Sequence, residues 1–380
     1  MVKPLNLVFI SSEYPLWYPG GFGTFLQTIG RELVKKNHKV SVVGPGTSKV
    51  AEYLEDEGVR LYRLPKTKGR FPDFMQNAIQ INKKLKELQT EEPIDIIEAS
   101  ELGLALISKK HSAKKVIRLH GGHHFFSEAE KRGINWRKGL LEKRSFKNAD
   151  AFIAVSNYVK MHTQKYLSYH NKPIEIINYP IDTTLVIPEI QIKEDRILFA
   201  GTVCEKKGIR QLIEAFKILK QKRPEMILDV FGRDWFYPDG SSYMEMLKST
   251  YDESYLENVI FHGSVERDVL NTKYAEALFC IFPSRMETQG LVSLEAMLLK
   301  KPVIFSEYGP GPETISHMET GLLCDVYDPN DIAEKMIWCI ENPEKAKELG
   351  EKGNEVVRKK YEKQFILDKN IAFYTQLINE

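Results

Sequence analysis

Short apolar runs alternate with segments of helical period along almost the whole chain. Residues 5–10 read Leu-Asn-Leu-Val-Phe-Ile, a strand, and 24–36 repeats its apolar positions at helical spacing. A strand at 40–43 ends on Gly44-Pro45-Gly46, and 74–89 is helical, with Ile81, Leu85 and Leu88 on one side. Further strands are predicted at 94–97, 116–119, 151–155 and 174–177. Residues 178–195 hold mixed polarity and no clear period, as a linker does. The pattern then restarts, with strands at 196–200, 227–231, 259–261, 278–282 and 302–305. Helices are predicted at 208–222, 243–250, 268–276 and 331–341, and the last 30 residues form one or two more. Continuous apolar strands between amphipathic helices mean parallel sheets covered on both faces. Two such domains leave a cleft between them, a common place for ligands.

Composition refines this. The 380 residues exceed one ordinary core, and 42% apolar with 28% charged residues is the balance of a globular protein. Cys204, Cys280, Cys324 and Cys339 have neither metal-ligand nor CxxC spacing and read as core thiols of a reducing compartment. With no membrane-length apolar run and no leader, a cytoplasmic location is expected. Net charge is +2 but unevenly spread: residues 1–190 carry 29 Lys+Arg against 20 Asp+Glu, and the remainder 25 against 32. The excess gathers in Lys109-Lys110, Lys114-Lys115, Lys131-Arg132, Arg137-Lys138 and Lys143-Arg144. Such a face is either a solvated helix surface or a contact for anionic membrane or an acidic substrate. Nucleic acid is excluded as a partner, because no aromatic-basic interleaving accompanies the charge.

The candidate chemistry centres on Glu287 and Glu295. They bracket Thr288-Gln289-Gly290-Leu291-Val292-Ser293-Leu294, between a buried strand and a helix. A helix opening after Gly290 presents unpaired amides that hold anions. Two carboxylates at that mouth need hydroxyl donors and a cation beside them, the layout of a nucleotide sugar. Lys207, just before Gly208 and a helix, is a cation for the diphosphate. Gly20-Gly21-Phe22-Gly23 lets backbone amides approach an anion but lacks GxGxxG spacing. His120 ends a strand before Gly121-Gly122, placed to touch a ligand. His123 and His124 are adjacent, yet neighbouring side chains diverge and no Asp or Glu completes a ligand set, so no metal site is expected.

The chain resembles the retaining glycosyltransferases of family 4, with the GT-B fold. The resemblance spans nearly all of it, through Gly20-Gly21, His120-Gly121, Val155-Ser156, Asn178, Pro180-Ile181-Asp182, Gly201, Lys207-Gly208 and Gly263. It continues in Pro283-Ser284, the Glu287/Glu295 motif, Pro302-Val303 and Gly311-Pro312-Glu313. It implies an α/β protein of two Rossmann-like domains with parallel sheets facing across a cleft. Residues 1–180 would bind the acceptor and 181–364 the nucleotide sugar, with a helix near 365–380 packing back on the first domain. Glu287, Lys207 and His120 would be catalytic. The donor would meet Gly21, Thr202, Lys207, Arg233, Val265, Glu287, Gly290, Leu291, Val292 and Glu295, with Glu295 on the ribose. Tyr14, Gly20 and His120 would face the acceptor.

The reaction implied is retaining hexosyl transfer from a nucleotide sugar, UDP favoured, to a glycan or lipid-linked acceptor in polysaccharide or glycoconjugate synthesis. It needs no metal and no cofactor, the nucleotide sugar being a co-substrate; peripheral contact with the inner membrane face would follow from the basic surface. A phosphorylase or sugar-nucleotide epimerase on the same fold, and a non-catalytic nucleotide-sugar-binding subunit, remain alternatives. Two positions depart from the family: Thr202 stands where Arg is usual, with Arg210 and Arg285 as substitutes, and Gln289 where an aromatic is usual.

Overall fold

The computed structural model describes residues 3–17, 20–66, 72–129, 133–185 and 190–380. The chain divides into two compact units, Met1–Pro180 with Gln364–Glu380, and Ile181–Lys363.

Unit 1 is built on eight strands: β1 (Asn6–Ile10), β2 (Lys39–Pro45), β3 (Glu52–Asp56), β4 (Val59–Leu64), β5 (Ile96–Ala99), β6 (Lys114–Leu119), β7 (Ala151–Ala154) and β8 (Ile174–Ile176). Their order is β3-β4-β2-β1-β5-β6-β7-β8, and only β3 runs antiparallel, against β4. The central strand β1 is buried at all five positions, as a strand covered on both faces must be. The β3–β4 hairpin was not expected. Its strand β3 is mostly exposed and charged, so no apolar period marks it, and its tight turn runs through Glu57 and Gly58 at positive φ.

The helix Lys363–Asn379 completes this unit. Arg118, fully buried on β6, pairs with Glu98 of β5 at 2.7 Å, and its second nitrogen donates to Asn370 at 2.6 Å. Tyr374 donates to the other Glu98 oxygen, so both carboxylate oxygens are held, while Arg118 Nη1 is left without a partner. Burial of that kind costs little only while every partner stays.

Unit 2 has six parallel strands: β9 (Lys193–Ala200), β10 (Ile227–Phe231), β11 (Val259–Gly263), β12 (Ala277–Phe282), β13 (Val303–Ser306) and β14 (Leu322–Cys324), ordered β11-β10-β9-β12-β13-β14. One apolar cluster lies under the helices Ile209–Lys220 and Pro329–Glu341, and a second under Leu291–Leu298 and Pro343–Lys360. Strand β9 begins inside the expected linker. Its first two residues are exposed, and Glu194 and Asp195 hide the strand from an apolar count. Strand β14 has three residues, too few for a period to show.

Candidate active site

In unit 2 the carboxyl ends of β9 and β12 stand side by side, because those strands pair in the sheet. After β9 the chain makes a short turn, Glu205–Lys207, and Gly208 follows in the left-handed region at φ 71°. A β-carbon there would meet the Pro283 carbonyl at 1.8 Å, so only glycine lets the two loops touch. That contact brings Lys207 to the loop after β12, where its ammonium pairs with Glu287. Glu287 also accepts from the Ser284 hydroxyl at 3.1 Å. The sequence named Lys207 and Glu287 separately; the fold joins them.

Gly290 is left-handed too, at φ 77°, and turns the chain into the helix Leu291–Leu298. The first amides of a helix have no acceptor within it, so Leu291 and Val292 offer theirs to the loop. Glu295 lies one turn further in. It is buried; one oxygen accepts from Arg267 at 2.6 Å, and the other, Oε2, has no hydrogen-bond partner. Burial raises its affinity for a proton, opposed by Arg267 and by the buried Tyr274 hydroxyl, which lies beside the carboxylate without completing a hydrogen bond to it. Arg267 itself is exposed, so its hold on Glu295 is exchangeable.

Thr202 is half-buried beside Gly201, and Arg233 and Val265 follow the ends of β10 and β11, with Arg233 exposed. The proposed substitutes for the missing family arginine are already engaged. Arg285 and Arg210 both pair with Glu205, at 2.6 and 2.9 Å, and Tyr243 donates to the same carboxylate. Gln289, in the family's aromatic position, is buried.

In unit 1 His120 follows β6. The Tyr179 hydroxyl, whose pKa burial raises, shares a hydrogen bond with His120 Nδ1. The ring is held neutral, first by burial and then by the nearby Arg118 cation. Its Nε2 is buried and finds no partner. Gly20 precedes the helix Gly21–Lys35 in an extended conformation, and space is open beside Gly21. The chain's own Glu13 accepts from Gly23 N–H at 3.3 Å, so this helix start is partly answered from within.

Tyr14 departs from expectation. Its side chain is fully buried and its hydroxyl donates to Asp56 at 2.6 Å, with Arg31 on the same carboxylate. It offers no surface to an acceptor. A groove of about 330 Å³ lies instead past the ends of β1, β2 and β4, lined among others by Ser12, Thr47, Arg63, Lys66 and Asn77.

Two further carboxylates were missed. Glu101 accepts from the His120 amide at 2.7 Å, and burial, with Glu142 nearby, raises its pKa to about 8. Glu142 accepts from the amides of His123 and His124 at 2.7 and 3.2 Å and from the His124 ring. An acid therefore does stand against His124, contrary to expectation, but as an anchor for this loop. Among the described residues no three His, Cys, Asp or Glu gather as a metal site would require. A signal for Glu142 existed: it shares helical spacing with the buried Gly139 and Phe146.

Comparison with known proteins places these features. Residues 182–356 match the family Glycosyl transferases group 1, and residues 19–185 match Glycosyltransferase Family 4. An uncharacterised glycosyltransferase of Methanocaldococcus jannaschii is 28% identical over 364 residues, covering 93% of this chain and 94% of its own. Sucrose-phosphate synthase of Thermosynechococcus elongatus has the same fold at a TM-score of 0.85 and 21% identity, with 99% of both chains covered. Anabaena HepE in complex with UDP and glucose superposes at 0.76 with 16% identity, over 98% of this chain and 100% of its own. With one family matched on each unit and the GT-B architecture in both, the chain belongs to the group 1/family 4 glycosyltransferases.

Proposed function

We propose that this glycosyltransferase moves a hexose, with retention, from a nucleoside diphosphate sugar to a glycan or lipid-linked acceptor in cell-surface polysaccharide or glycoconjugate synthesis. The observation that carries the reading is Glu295, a buried carboxylate with one oxygen on an exposed arginine and the other in no completed hydrogen bond, with the buried Tyr274 hydroxyl beside it. A ribose diol brings two hydroxyl donors to such a group. The diphosphate is assigned to the start of the helix Leu291–Leu298 and to Lys207. Phosphate drawing the ammonium away frees Glu287 for the hydroxyls of the sugar. Lys207 and the Gly290, Leu291 and Val292 amides then meet the charge that develops on the departing diphosphate. In this reading fixed positive groups do what a metal ion does in other transferases.

Arg233 and Val265 flank the base. UDP is favoured, in keeping with the fold shared with HepE, which is described with UDP and glucose. The acceptor is assigned to unit 1, at Gly20-Gly21, His120 and the neighbouring groove. Four buried, unpaired cysteines suit a reducing compartment, the cytoplasm. No described helix is long and apolar enough to cross a membrane, so contact with an inner membrane face would be peripheral.

Calorimetric titration with UDP, GDP and ADP and their sugars tests the donor. Glu295→Ala should weaken the preferred nucleotide by about 1–3 kcal/mol, the worth of hydrogen bonds to a charged group. An unchanged affinity would remove the ribose from Glu295. Transfer should continue in EDTA; activity lost on chelation and restored by Mg²⁺ would overturn the metal-free mechanism.

A further inference from the structure

Unit 1 carries one surface that neither the donor nor the acceptor reading uses. The helix Trp136–Asn148 is fastened along its inner side. Glu142 holds the His123 and His124 amides, Ser145 Oγ accepts from Leu104 N–H at 3.1 Å, and Arg144 Nε donates to Ala105 O at 2.7 Å. At its end Lys172 donates to the Lys147 carbonyl at 2.9 Å. The helix cannot roll, so its outward side is fixed.

That side carries Trp136, Leu140, Lys143 and Lys147. At 3.6 residues per turn these four fall within an arc of about 60° and extend over about 16 Å. Trp136 is 70% exposed and Leu140 61%, and Ile134, just before the capping Asn135, is 46% exposed. Single exposed apolar residues are ordinary, but three together at one helix end form a patch that calls for a cover. Cations surround it. Arg137 lies over the Trp136 ring at 5.2 Å, and Lys143 and Lys147 are exposed. Glu142, the one acid of the helix, is turned inward.

This pairing selects an occupant. A second copy of the chain would bring two sets of cations together with no carboxylate to meet them, whichever way the helices ran. A purely solvated face has no use for the tryptophan. An anionic bilayer surface satisfies both halves: the indole and leucine enter the interfacial zone, and the lysines reach the phosphates with their stems along the apolar side.

We propose that the outward side of Trp136–Asn148 is a membrane-docking element that seats unit 1 on an anionic lipid surface, the helix lying along the surface. This extends the lipid-linked acceptor reading. Vesicle binding requires no sugar transfer, so the two can fail separately.

The full chain is sedimented with phosphatidylcholine vesicles, with and without phosphatidylglycerol, at low and high salt. Binding is expected only with phosphatidylglycerol and should fade as salt rises. Lys143→Glu with Lys147→Glu, and separately Trp136→Ala with Leu140→Ser, should each lower partitioning about tenfold or more at an unchanged melting temperature. Tryptophan emission should shift to the blue on adding anionic vesicles, and Trp136→Phe should bind while losing that shift. Absence of binding to either vesicle, equal binding to both, or binding unaltered in both double variants would overturn the proposal. So would a dimer in sedimentation velocity that Trp136→Ala with Leu140→Ser dissolves.

Discussion

The two units treat buried carboxylates in opposite ways. In unit 1 Glu101 and Glu142 are closed: their oxygens accept amides of the loop 120–124, and nothing is left for a visitor. In unit 2 Glu287 leans on a lysine that a phosphate could draw away, and Glu295 keeps one oxygen unpartnered. A carboxylate satisfied by backbone fixes a shape. A carboxylate satisfied by an exchangeable side chain, or not at all, is poised for a ligand. Residue type alone does not separate the two cases; the partners do.

The sharpest way to break this contrast is to exchange the expected losses. Glu142→Ala strands two buried amides and the His124 ring, so denaturant unfolding should show a loss of about 3–5 kcal/mol, while nucleotide affinity stays the same. Nucleotide affinity falling in step with stability would erase the distinction. Lys207→Ala should do the reverse. Turnover should drop roughly 10²-fold or more, about 2.7–4 kcal/mol of barrier, while the melting temperature hardly moves. A variant that melts early but turns over normally would make Lys207 a structural residue.

The most gradual effect concerns Glu101, small over any one pH unit. Its folded pKa, about 8, lies above the usual carboxylate value, so between about pH 4.5 and 8 the folded state binds more protons than the unfolded one. Stability from this group is therefore present below that window and declines as pH rises through it, at no more than about 1.4 kcal/mol per pH unit. Glu101→Gln, which keeps an acceptor for the His120 amide but cannot ionise, should flatten that part of the profile. An unaltered slope would place the titration on another group.

Much of this was legible in the chain, for identifiable reasons. Strands such as β1 and β12 are buried on both faces, and their apolar runs say so directly. The Gly208 and Gly290 turns could be read because backbone geometry there demands glycine. Strand β3 of the hairpin could not be read from apolar period, since an edge strand has little to bury. Tyr14 was misplaced for another reason: Asp56, 42 residues away, claims its hydroxyl, and no local pattern announces such a meeting. The same holds for Arg285, which reaches Glu205 only when β9 and β12 pair, whereas Arg210 meets that carboxylate from five residues along the chain.

The return of the last helix to unit 1 has a consequence for synthesis. Unit 2 is one continuous stretch, whereas unit 1 is made in two instalments separated by the whole of unit 2. Until Asn370 and Tyr374 emerge from the ribosome, Arg118 and Glu98 wait without two of their partners. The half that begins first is thus the half that finishes last. A nascent chain halted before residue 370 would hold a complete second unit beside an unsealed first one.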